Sequence, residues 1–171
     1  MLGGPGQHGA VAPSIRPLDA CDHEPVVALS LRAWAPVFAS LERVLGPSGV
    51  YTELHPDWRV TQRRAVEAAL LADDEHVWVA EVDAAVAGFV AVTLHDDQSI
   101  GEVYMIAVDP AFQRTGVAMA LLTFATGWIK EQGRAVALVE TGGDPGHAPA
   151  RHTYERFGFT GLPIVKYFKN L

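Results

Sequence analysis

Apolar and polar residues follow two different periods along this chain, and the change of period separates predicted strands from predicted helices. Three segments rich in Val, Ile and aromatic residues begin at His76, Ala85 and Ile100, with short polar turns at 83–84 and 96–98 between them. Such segments predict three strands in an antiparallel meander. Elsewhere the apolar residues recur about every 3.6 positions, which predicts helices.

The remaining elements complete a sheet covered by helices. In chain order the pattern predicts a strand at 14–18, a helix at 23–34 capped by Asp22, loop and short helix over 35–60, helices at 59–72 and 117–130, a buried strand from Arg134, a helix opened by Pro149 and ended by Gly158, and a last strand at 164–168. A strand–helix–strand unit after a meander requires one parallel pairing. The predicted fold class is α/β (α+β), with a single mixed, mostly antiparallel central sheet.

One domain accounts for the length and composition. The chain has 171 residues, 49% of them hydrophobic, which is enough for one buried core. Residues 1–13 are rich in Gly, Pro and Ala and predict a flexible tail, so the domain is expected to span 14–171. The longest nearly uncharged apolar run, 84–94, is far shorter than the roughly 20 residues of a membrane helix, and the start does not resemble a signal peptide. With the single cysteine, Cys21, this predicts a cytoplasmic protein without a membrane partner.

The net charge of −7 is distributed unevenly. Residues 1–64 hold six Lys/Arg and six Asp/Glu, residues 65–113 hold no Lys/Arg and ten Asp/Glu, and residues 114–171 hold seven Lys/Arg and four Asp/Glu. Nucleic acid is not an expected partner, because its binding depends on neutralising phosphates with a basic surface. An anionic ligand is expected at the C-terminal third. The acidic middle suits a positively charged ligand, or its carboxylates are only solvated hairpin charges.

The junction between the third meander strand and the next helix carries the most informative residues. The string VDPAFQRTGVAMALL passes from strand to helix through Gln113 to Ala118. A helix N-terminus offers unpaired N–H groups and a partial positive charge, which together bind phosphate, and Arg114 and Thr115 add a charge and a hydroxyl. The same residues also fit an ordinary loop in which Gly116 starts the helix. Neither GxxxxGK[ST] nor GxGxxG is present.

Several segments together resemble the GNAT superfamily of acetyl-coenzyme A-dependent N-acetyltransferases. Gln113-x-x-Gly116-x-Ala118 resembles the [QR]-x-x-G-x-[GA] signature, EVYMIAVDP resembles the fourth strand, and APARHTYERFGF resembles the A-x-x-[LF]-Y-E-x-x-G-F helix. IRPLDACD is similar to the first strand and turn. The resemblance runs from about Ile15 to Phe168 and implies a GNAT fold with a V-shaped splay between strands 4 and 5.

The resemblance implies acetyl-coenzyme A as co-substrate and assigns residues to it. The pyrophosphate is expected at the turn and the start of the helix, and the pantetheine arm is expected to pair with the fourth strand inside the splay. The implied residues are Gln113, Arg114, Thr115, Gly116, Val117 and Ala118 for the pyrophosphate, and Ile106, Ala107 and Val108 for the arm. A strand edge and a helix N-terminus supply suitable main-chain groups.

Two residues carry the implied acid–base chemistry. Tyr154 matches the phenol that the family places near the coenzyme A sulfur, although its position on an apolar face with Ala150 and Phe157 also fits packing alone. Glu102 resembles the glutamate that in some members accepts the amine proton, and it also fits a solvated strand residue. Glu140 is a further candidate base. A base is needed because an alkylammonium of pKa about 10.4 is almost fully protonated at pH 7.

The string TGGDPGHAPAR departs from the family pattern, which often has Asn seven residues before the tyrosine. His147 holds that place here. We expect His147 to contact the coenzyme or to cap the helix that Pro149 opens, and a role at the acceptor is a further alternative. His147 and His152 lie five residues apart, off a common helix face, so no metal site is expected.

The resemblance implies that the acceptor enters over the region of the first helix and the C-terminal half of the sheet. The candidates there are Trp34, Phe38, Tyr51, His55, Asp57 and Trp58. Aromatic rings with a carboxylate can hold an organic cation. Trp34 and Phe38 also fit the core, whereas Tyr51, His55 and Trp58 fall in a Gly/Pro-flanked loop and are expected to be more exposed.

The sequence therefore predicts an N-acetyltransferase that acts on a primary amine of a small molecule, by direct attack in a ternary complex. One alternative is acetylation of a protein N-terminus or lysine. The other is a non-catalytic coenzyme A-binding regulatory module, which the presence of Gln113, Gly116, Ala118 and Tyr154 disfavours. The resemblance leaves a homodimer open, since many members of the family dimerise.

Overall fold

A computed structural model describes residues 12–96 and 98–171, so most of the predicted flexible tail lies outside the described residues. The strands are β1 (Ser14–Pro17), β2 (Glu75–Val82), β3 (Ala85–His95), β4 (Ile100–Val108) and β5 (Val136–Val139), and the helices are α1 (His23–Leu45), α2 (Val50–Leu54), α3 (Trp58–Leu71), α4 (Val117–Glu131) and α5 (Ala148–Phe157). The sheet has the order β1-β2-β3-β4-β5. Strands β1 to β4 pair antiparallel and β4 pairs parallel with β5, as predicted.

The β2–β3 hairpin forms because its turn has the required backbone conformation. Asp83 and Ala84 connect β2 to β3 with φ of 49° and 61°. Two consecutive positive φ values are those of a two-residue turn whose twist matches the flanking strands. The predicted hairpin turn at 83–84 is confirmed.

Helices cover both faces of the sheet. On the α4 face, Leu121, Ala125 and Ile129 of α4 pack against buried strand residues such as Val90 and Val103. On the α1 face, α1 and α3 pack over Val79, Phe89 and Ala107, with Val26, Val27, Leu29, Val66 and Leu70 fully or almost fully buried. The structure thus has two apolar layers separated by one sheet. No helix within 12–96 or 98–171 is long and apolar enough to cross a membrane.

The first helix is longer than predicted. The predicted helix end at Trp34 is wrong, because α1 continues through Pro36 to Leu45. The loop and short helix predicted over 35–60 therefore occur only after Leu45, where α2 is the short helix. A proline inside a helix removes one backbone hydrogen bond, but Phe38 and Ser40 beyond it are buried, so packing maintains the helix. Asp57 then caps α3 by accepting hydrogen bonds from the N–H groups at the start of that helix.

Asp22 does not cap α1 as predicted. Its carboxylate instead accepts hydrogen bonds from Arg16, with Nη1–Oδ2 and Nη2–Oδ1 distances of 2.6 and 2.9 Å, and from the backbone N–H of Asp19. Asp22 is buried, and the Arg16 guanidinium holds its pKa below the usual value. This pair ties the end of β1 to the start of α1.

The C-terminal part of the sheet also differs from the prediction. β5 is a short, half-exposed edge strand rather than a buried one, and the predicted strand at 164–168 does not form. All of residues 160–171 are exposed and lack regular secondary structure. A strand is stable only when its backbone pairs with a neighbour, and no described residue supplies one for this segment.

Candidate active site

The connection from β4 to α4 forms an open turn at the start of a helix. Residues 113–116 are exposed, and Arg114 and Gly116 have left-handed φ values of 63° and 95°. A Cβ at Gly116 would meet nothing within 4 Å, and no side chain caps α4. The first backbone N–H groups of α4 are therefore free to bind an anion.

Hydrogen bonds hold this turn in place. The Asp109 carboxylate accepts from the N–H of Ala111 (2.9 Å) and from Nε of Arg32 on α1 (3.1 Å), while the Asp109 N–H donates to the carbonyl of Ala87 (2.9 Å). Burial acts to raise the pKa of Asp109, but the bonds from Arg32 and Ala111 outweigh it and keep the pKa below the usual value. Thr115 Oγ1 donates to the carbonyl of Phe112 (2.6 Å). Hydrogen bonds from within the protein therefore fix the conformation of the turn.

β4 has a free edge just before this turn. β5 pairs only with Ile100–Val103, so Tyr104–Val108 have no strand partner on that side among the described residues. The register with β3 shifts at the same point, which leaves Tyr104 as a bulged residue that is half exposed. A bulge increases local twist, which explains why the pairing with β5 ends there. The predicted arm-binding residues, Ile106, Ala107 and Val108, lie on this free edge.

Glu102 points to the α1 face. A Cβ on its neighbour Gly101 would meet Ile129 of α4, and successive strand residues point to opposite faces. Glu102 Oε2 lies 2.8 Å from Nε2 of His95, across the β3–β4 hairpin. Glu102 is therefore not an isolated solvated residue but one half of a carboxylate–imidazole pair.

A second carboxylate lies in the same row of the sheet. Thr93 pairs with Glu102 on one side and with Glu75 on the other, and its Oγ1 donates to Glu75 Oε1 at 2.6 Å. Glu75 Oε2 is buried and has no hydrogen-bond partner among the described residues. Burial raises the pKa of Glu75, and the negative charges of Asp74 and Glu102 add to that effect. Glu75, Thr93 and Glu102 thus lie side by side across β2, β3 and β4, and this acidic row concentrates negative charge on the α1 face of the sheet.

Tyr154 lies in α5 with its ring in an edge-to-face contact with Phe159, at 6.1 Å between centroids. Burial raises the pKa of its phenol to about 12, and no other cause contributes. The phenol is therefore neutral throughout the physiological pH range and retains its proton for donation. The packing and the acid interpretations are compatible. The ring packs against Phe159, and the hydroxyl group is not used in that contact.

The loop before α5 is anchored to α1. The Gly146 N–H donates to Ser40 Oγ and to Asp144 Oδ2, both at 2.9 Å. His147 does not cap α5 with its side chain, because Nδ1 bonds the Asp144 carboxylate instead. Burial acts to raise the pKa of Asp144, but hydrogen bonds from Ser40 and His147 hold it below the usual value. Arg151 Nη1 closes the loop by donating to the Asp144 carbonyl at 2.9 Å.

The aromatic residues of the predicted acceptor region pack mainly against one another. Phe38 stacks on Trp58 at 4.5 Å, and His55 contacts the rings of both Phe38 and Tyr51 at 5.3 Å. Phe38 and Tyr51 are buried, so the expected exposure of Tyr51 is wrong. The Arg59 guanidinium covers Trp58 at 4.5 Å from the ring centroid. These rings therefore form a wall of the α1 region rather than an open aromatic cage.

Sequence reasoning missed His95 and Tyr104. His95 and Glu102 flank one short hairpin turn, so the strand pairing alone brings them together, and the alternation of the two strands could have indicated this. No sequence signal indicates the bulge at Tyr104, because the position of a bulge depends on how β3, β4 and β5 twist together.

The chain belongs to the acetyltransferase (GNAT) family, whose model matches residues 39–159. This confirms the resemblance, and the five-stranded mixed sheet confirms the predicted fold class. The mycothiol acetyltransferase of Thermomonospora curvata is 31% identical over 113 residues, which cover 64% of this chain and 37% of that protein. The mycothiol acetyltransferase of Rhodococcus erythropolis is 38% identical over 64 residues, 37% of this chain and 21% of that protein. The chain thus matches less than half the length of these relatives.

Solved structures share the fold at low sequence identity. The aminoglycoside N-acetyltransferase AAC(6')-Iy in complex with CoA superposes with a TM-score of 0.64 at 20% identity, covering 97% of this chain and 99% of that chain. The PaiA N-acetyltransferase from Thermoplasma acidophilum in complex with coenzyme A gives a TM-score of 0.68 at 16% identity, covering 88% and 91%. At these identities the likeness concerns the fold alone.

Proposed function

We propose that this chain transfers the acetyl group of acetyl-coenzyme A to a primary amine of a small molecule, by direct attack within a ternary complex. The observation that carries the proposal is the continuity of the free β4 edge with the uncapped start of α4. The β4 edge offers unpaired main-chain groups to an extended, amide-containing arm, and the start of α4 offers N–H donors to a pyrophosphate. Structures of the same fold with coenzyme A bound support this use of the fold.

The residues present fit the co-substrate. The open space at Gly116, the exposed side chains of Arg114 and Thr115, and the absence of a side-chain cap on α4 suit the pyrophosphate. The edge from Ile106 to Val108 suits the pantetheine arm. When bound, the thioester supplies an acyl carbon that an amine can attack. A direct contact from His147 to the coenzyme stays a prediction.

The base is proposed to be Glu102, with His95 as its positioning residue. An alkylammonium of pKa about 10.4 costs about 4–5 kcal/mol to deprotonate at pH 7. Glu102 faces the α1 side of the sheet, in a row that also holds Glu75, so this negative region attracts a cationic amine and receives its proton. The 2.8 Å bond from His95 fixes one carboxylate oxygen and leaves the other for the amine, directly or through one water.

The proposed step balances as follows in atoms and charge. The amine nitrogen forms a bond to the acyl carbon while the bond from that carbon to sulfur breaks. Nitrogen gives up two protons, one when the ammonium becomes the free amine and one when the amide forms, and Glu102 takes each in turn and passes it to water. Sulfur leaves as a thiolate, to which the hydroxyl of Tyr154 donates a hydrogen bond, and the thiolate then takes one proton from water. The products are an amide, a thiol and one proton released to the solvent.

Thiol release from acetyl-coenzyme A, followed over a panel of polyamines, aminoglycosides, amino acids and peptides, tests the proposal. We expect turnover with small amines, faster for acceptors that carry a second positive charge. Turnover only with peptides or proteins would indicate the protein acetyltransferase alternative. A thermal shift with coenzyme A but no thiol release across the panel would indicate a binding module. Rates that do not depend on acceptor charge would contradict the role given to the acidic row.

Glu102→Gln tests the base. We expect its kcat/KM to fall at least tenfold at pH 7 and to recover partly as the pH approaches the pKa of the amine, because free amine then forms without help. His95→Gln is the matched variant, which keeps a hydrogen-bond donor near the carboxylate and should retain most of the activity, whereas His95→Ala should not. A Glu102→Gln profile parallel to that of the wild type would exclude Glu102 as the base.

A further inference from the structure

Lysine is rare in this chain and is concentrated near its C-terminus. The chain has ten arginines and only three lysines, and two of the lysines, Lys166 and Lys169, fall within the last six residues. Residues 160–171, the C-terminal segment, contain no Asp or Glu. The C-terminal segment therefore carries two primary amines and a positive side-chain charge, which are the properties expected of the acceptor.

The C-terminal segment is open to solvent. All of its residues are exposed, and within the described part of the chain none of its backbone groups pairs with another backbone group. Unpaired backbone with few buried contacts marks a segment whose rearrangement costs little free energy. Both lysine side chains can therefore change position while the segment remains attached to the domain.

The C-terminal segment begins beside the proposed hydrogen-bond donor to sulfur. Phe159 is the residue before it, and its N–H donates to the carbonyl of Tyr154 at 3.0 Å, while the two rings meet edge to face at 6.1 Å. Lys166 and Lys169 follow Phe159 by seven and ten residues. A flexible chain of this length spans about 13–19 Å on average. The two amines are therefore tethered within reach of the place where the thioester is expected.

The C-terminal segment ends on the acceptor side of the proposed site. A Cβ on Gly49 would come within 2.9 Å of Asn170 Nδ2, so Asn170, the neighbour of Lys169, lies against the turn after α1. Two residues further on, Tyr51 contacts the His55 ring in the aromatic wall of the α1 region. The acidic row faces the same side of the sheet, and its negative charge attracts an ammonium group. The segment thus spans the site from its leaving-group side to its acceptor side.

We propose that the protein acetylates Lys166 and Lys169 of its own C-terminal segment, within one molecule. This step rests on the acetyl transfer proposed above and adds the two lysines as acceptors at the same site. A bond forms between the lysine Nζ and the acyl carbon while the bond from that carbon to sulfur breaks, and the protons follow the path already given. The products are acetyl-lysine, the thiol of coenzyme A and one proton. Tethering holds each amine near the site at a concentration of about millimolar, so no second molecule is needed.

Mass spectrometry of the full chain, incubated with acetyl-coenzyme A and no other amine, tests the proposal. We expect up to two added acetyl groups of about 42 Da each, located at Lys166 and Lys169 by fragmentation. Lys130 is the control within the same chain, because it is also exposed and is open to uncatalysed acetylation. We expect Lys130 to react at least tenfold more slowly. The double variant Lys166→Arg with Lys169→Arg should lose the modification and retain the thermal shift with coenzyme A.

Two further measurements separate this step from uncatalysed acetylation and from transfer between molecules. An excess of coenzyme A occupies the site without an acetyl group, so it should suppress acetylation of Lys166 and Lys169 and leave the slow reaction of Lys130 unchanged. The first-order rate constant should stay the same when the protein concentration is raised about tenfold, because the amine and the site belong to one molecule.

Three results would overturn the proposal: Lys166 and Lys169 react no faster than Lys130, their reaction persists in excess coenzyme A, or the rate constant rises in proportion to the protein concentration. Thiol release with small amines but no acetylation of the C-terminal segment overturns this inference alone. Acetylation of the segment without thiol release across the small amines supports it and contradicts the small-molecule acceptor. Absence of both signals overturns both proposals.

Discussion

Replacing Tyr154 by Phe removes a single oxygen from the proposed site. The ring keeps its contact with Phe159, so the packing of α5 should persist and the melting temperature should change by no more than about 2 °C. The hydroxyl is the group proposed to stabilise the departing sulfur. The substitution therefore separates the chemical role of Tyr154 from its role in packing.

The pKa of Tyr154 decides what the hydroxyl can do. A thiol has a pKa of about 8.5, so complete proton transfer from a phenol with a pKa of about 12 is uphill by about 5 kcal/mol, against about 2 kcal/mol for an unperturbed phenol. Tyr154 is therefore better suited to donate a hydrogen bond to the developing charge than to give up its proton fully. Such a bond to a charged acceptor contributes about 1.5–3 kcal/mol, so Tyr154→Phe should lower kcat by roughly 10- to 150-fold.

Steady-state thiol release measures this loss, and a titration with coenzyme A measures binding separately. The affinity should be nearly unchanged, because the sulfur is uncharged in the ground state. Tyr167→Phe is the control, since it removes the same oxygen from an exposed phenol that has no proposed role in the site, and it should change kcat by less than about twofold. An unchanged rate for Tyr154→Phe, or an equal loss for Tyr167→Phe, would refute the reasoning.

Three further predictions concern binding and stability. Gly116→Glu should abolish coenzyme A binding, measured by the thermal shift with coenzyme A. The control is Gly133→Glu, which should leave binding intact. It adds the same charge beyond the other end of α4, at a glycine that also has a left-handed φ (77°) and open surroundings. Asp22→Asn should cost about 2–3 kcal/mol at pH 7, measured by denaturant unfolding. Because Arg16 lowers the pKa of Asp22 in the folded state, the wild type loses this advantage as the pH falls below about 4, and a difference that stays constant down to pH 2 would contradict the assignment. Gly101→Ala should cost about 1–3 kcal/mol by overpacking, since its Cβ would lie 2.6 Å from an isoleucine side chain of α4.

Local pattern was sufficient wherever neighbours in the chain determine the conformation. The meander, its turn at Asp83 and Ala84, and the helix that starts after Gly116 were all predicted, because periodicity and turn chemistry are local properties. The chemistry expected at the β4–α4 junction rested in addition on the resemblance to the family.

Wherever a residue had a choice of partners, only the tertiary structure decided. Asp22 has the sequence signal of a helix cap, yet the guanidinium of Arg16 offers a stronger partner, so the carboxylate turns to it. Pro36 signals a helix end, but burial of Phe38 outweighs one lost hydrogen bond.

The site shows the same division. Tyr154, Glu102 and the turn residues were proposed on the resemblance to the family, and their roles stay predictions. The His95–Glu102 pair follows from the local pairing of one hairpin. The bulge that frees the edge of β4 and the open edge of β5 depend instead on how the strands of the whole sheet twist and pair. Periodicity reports which face of an element is apolar. It does not report which neighbour that face or edge will meet, because that depends on the packing of the whole sheet.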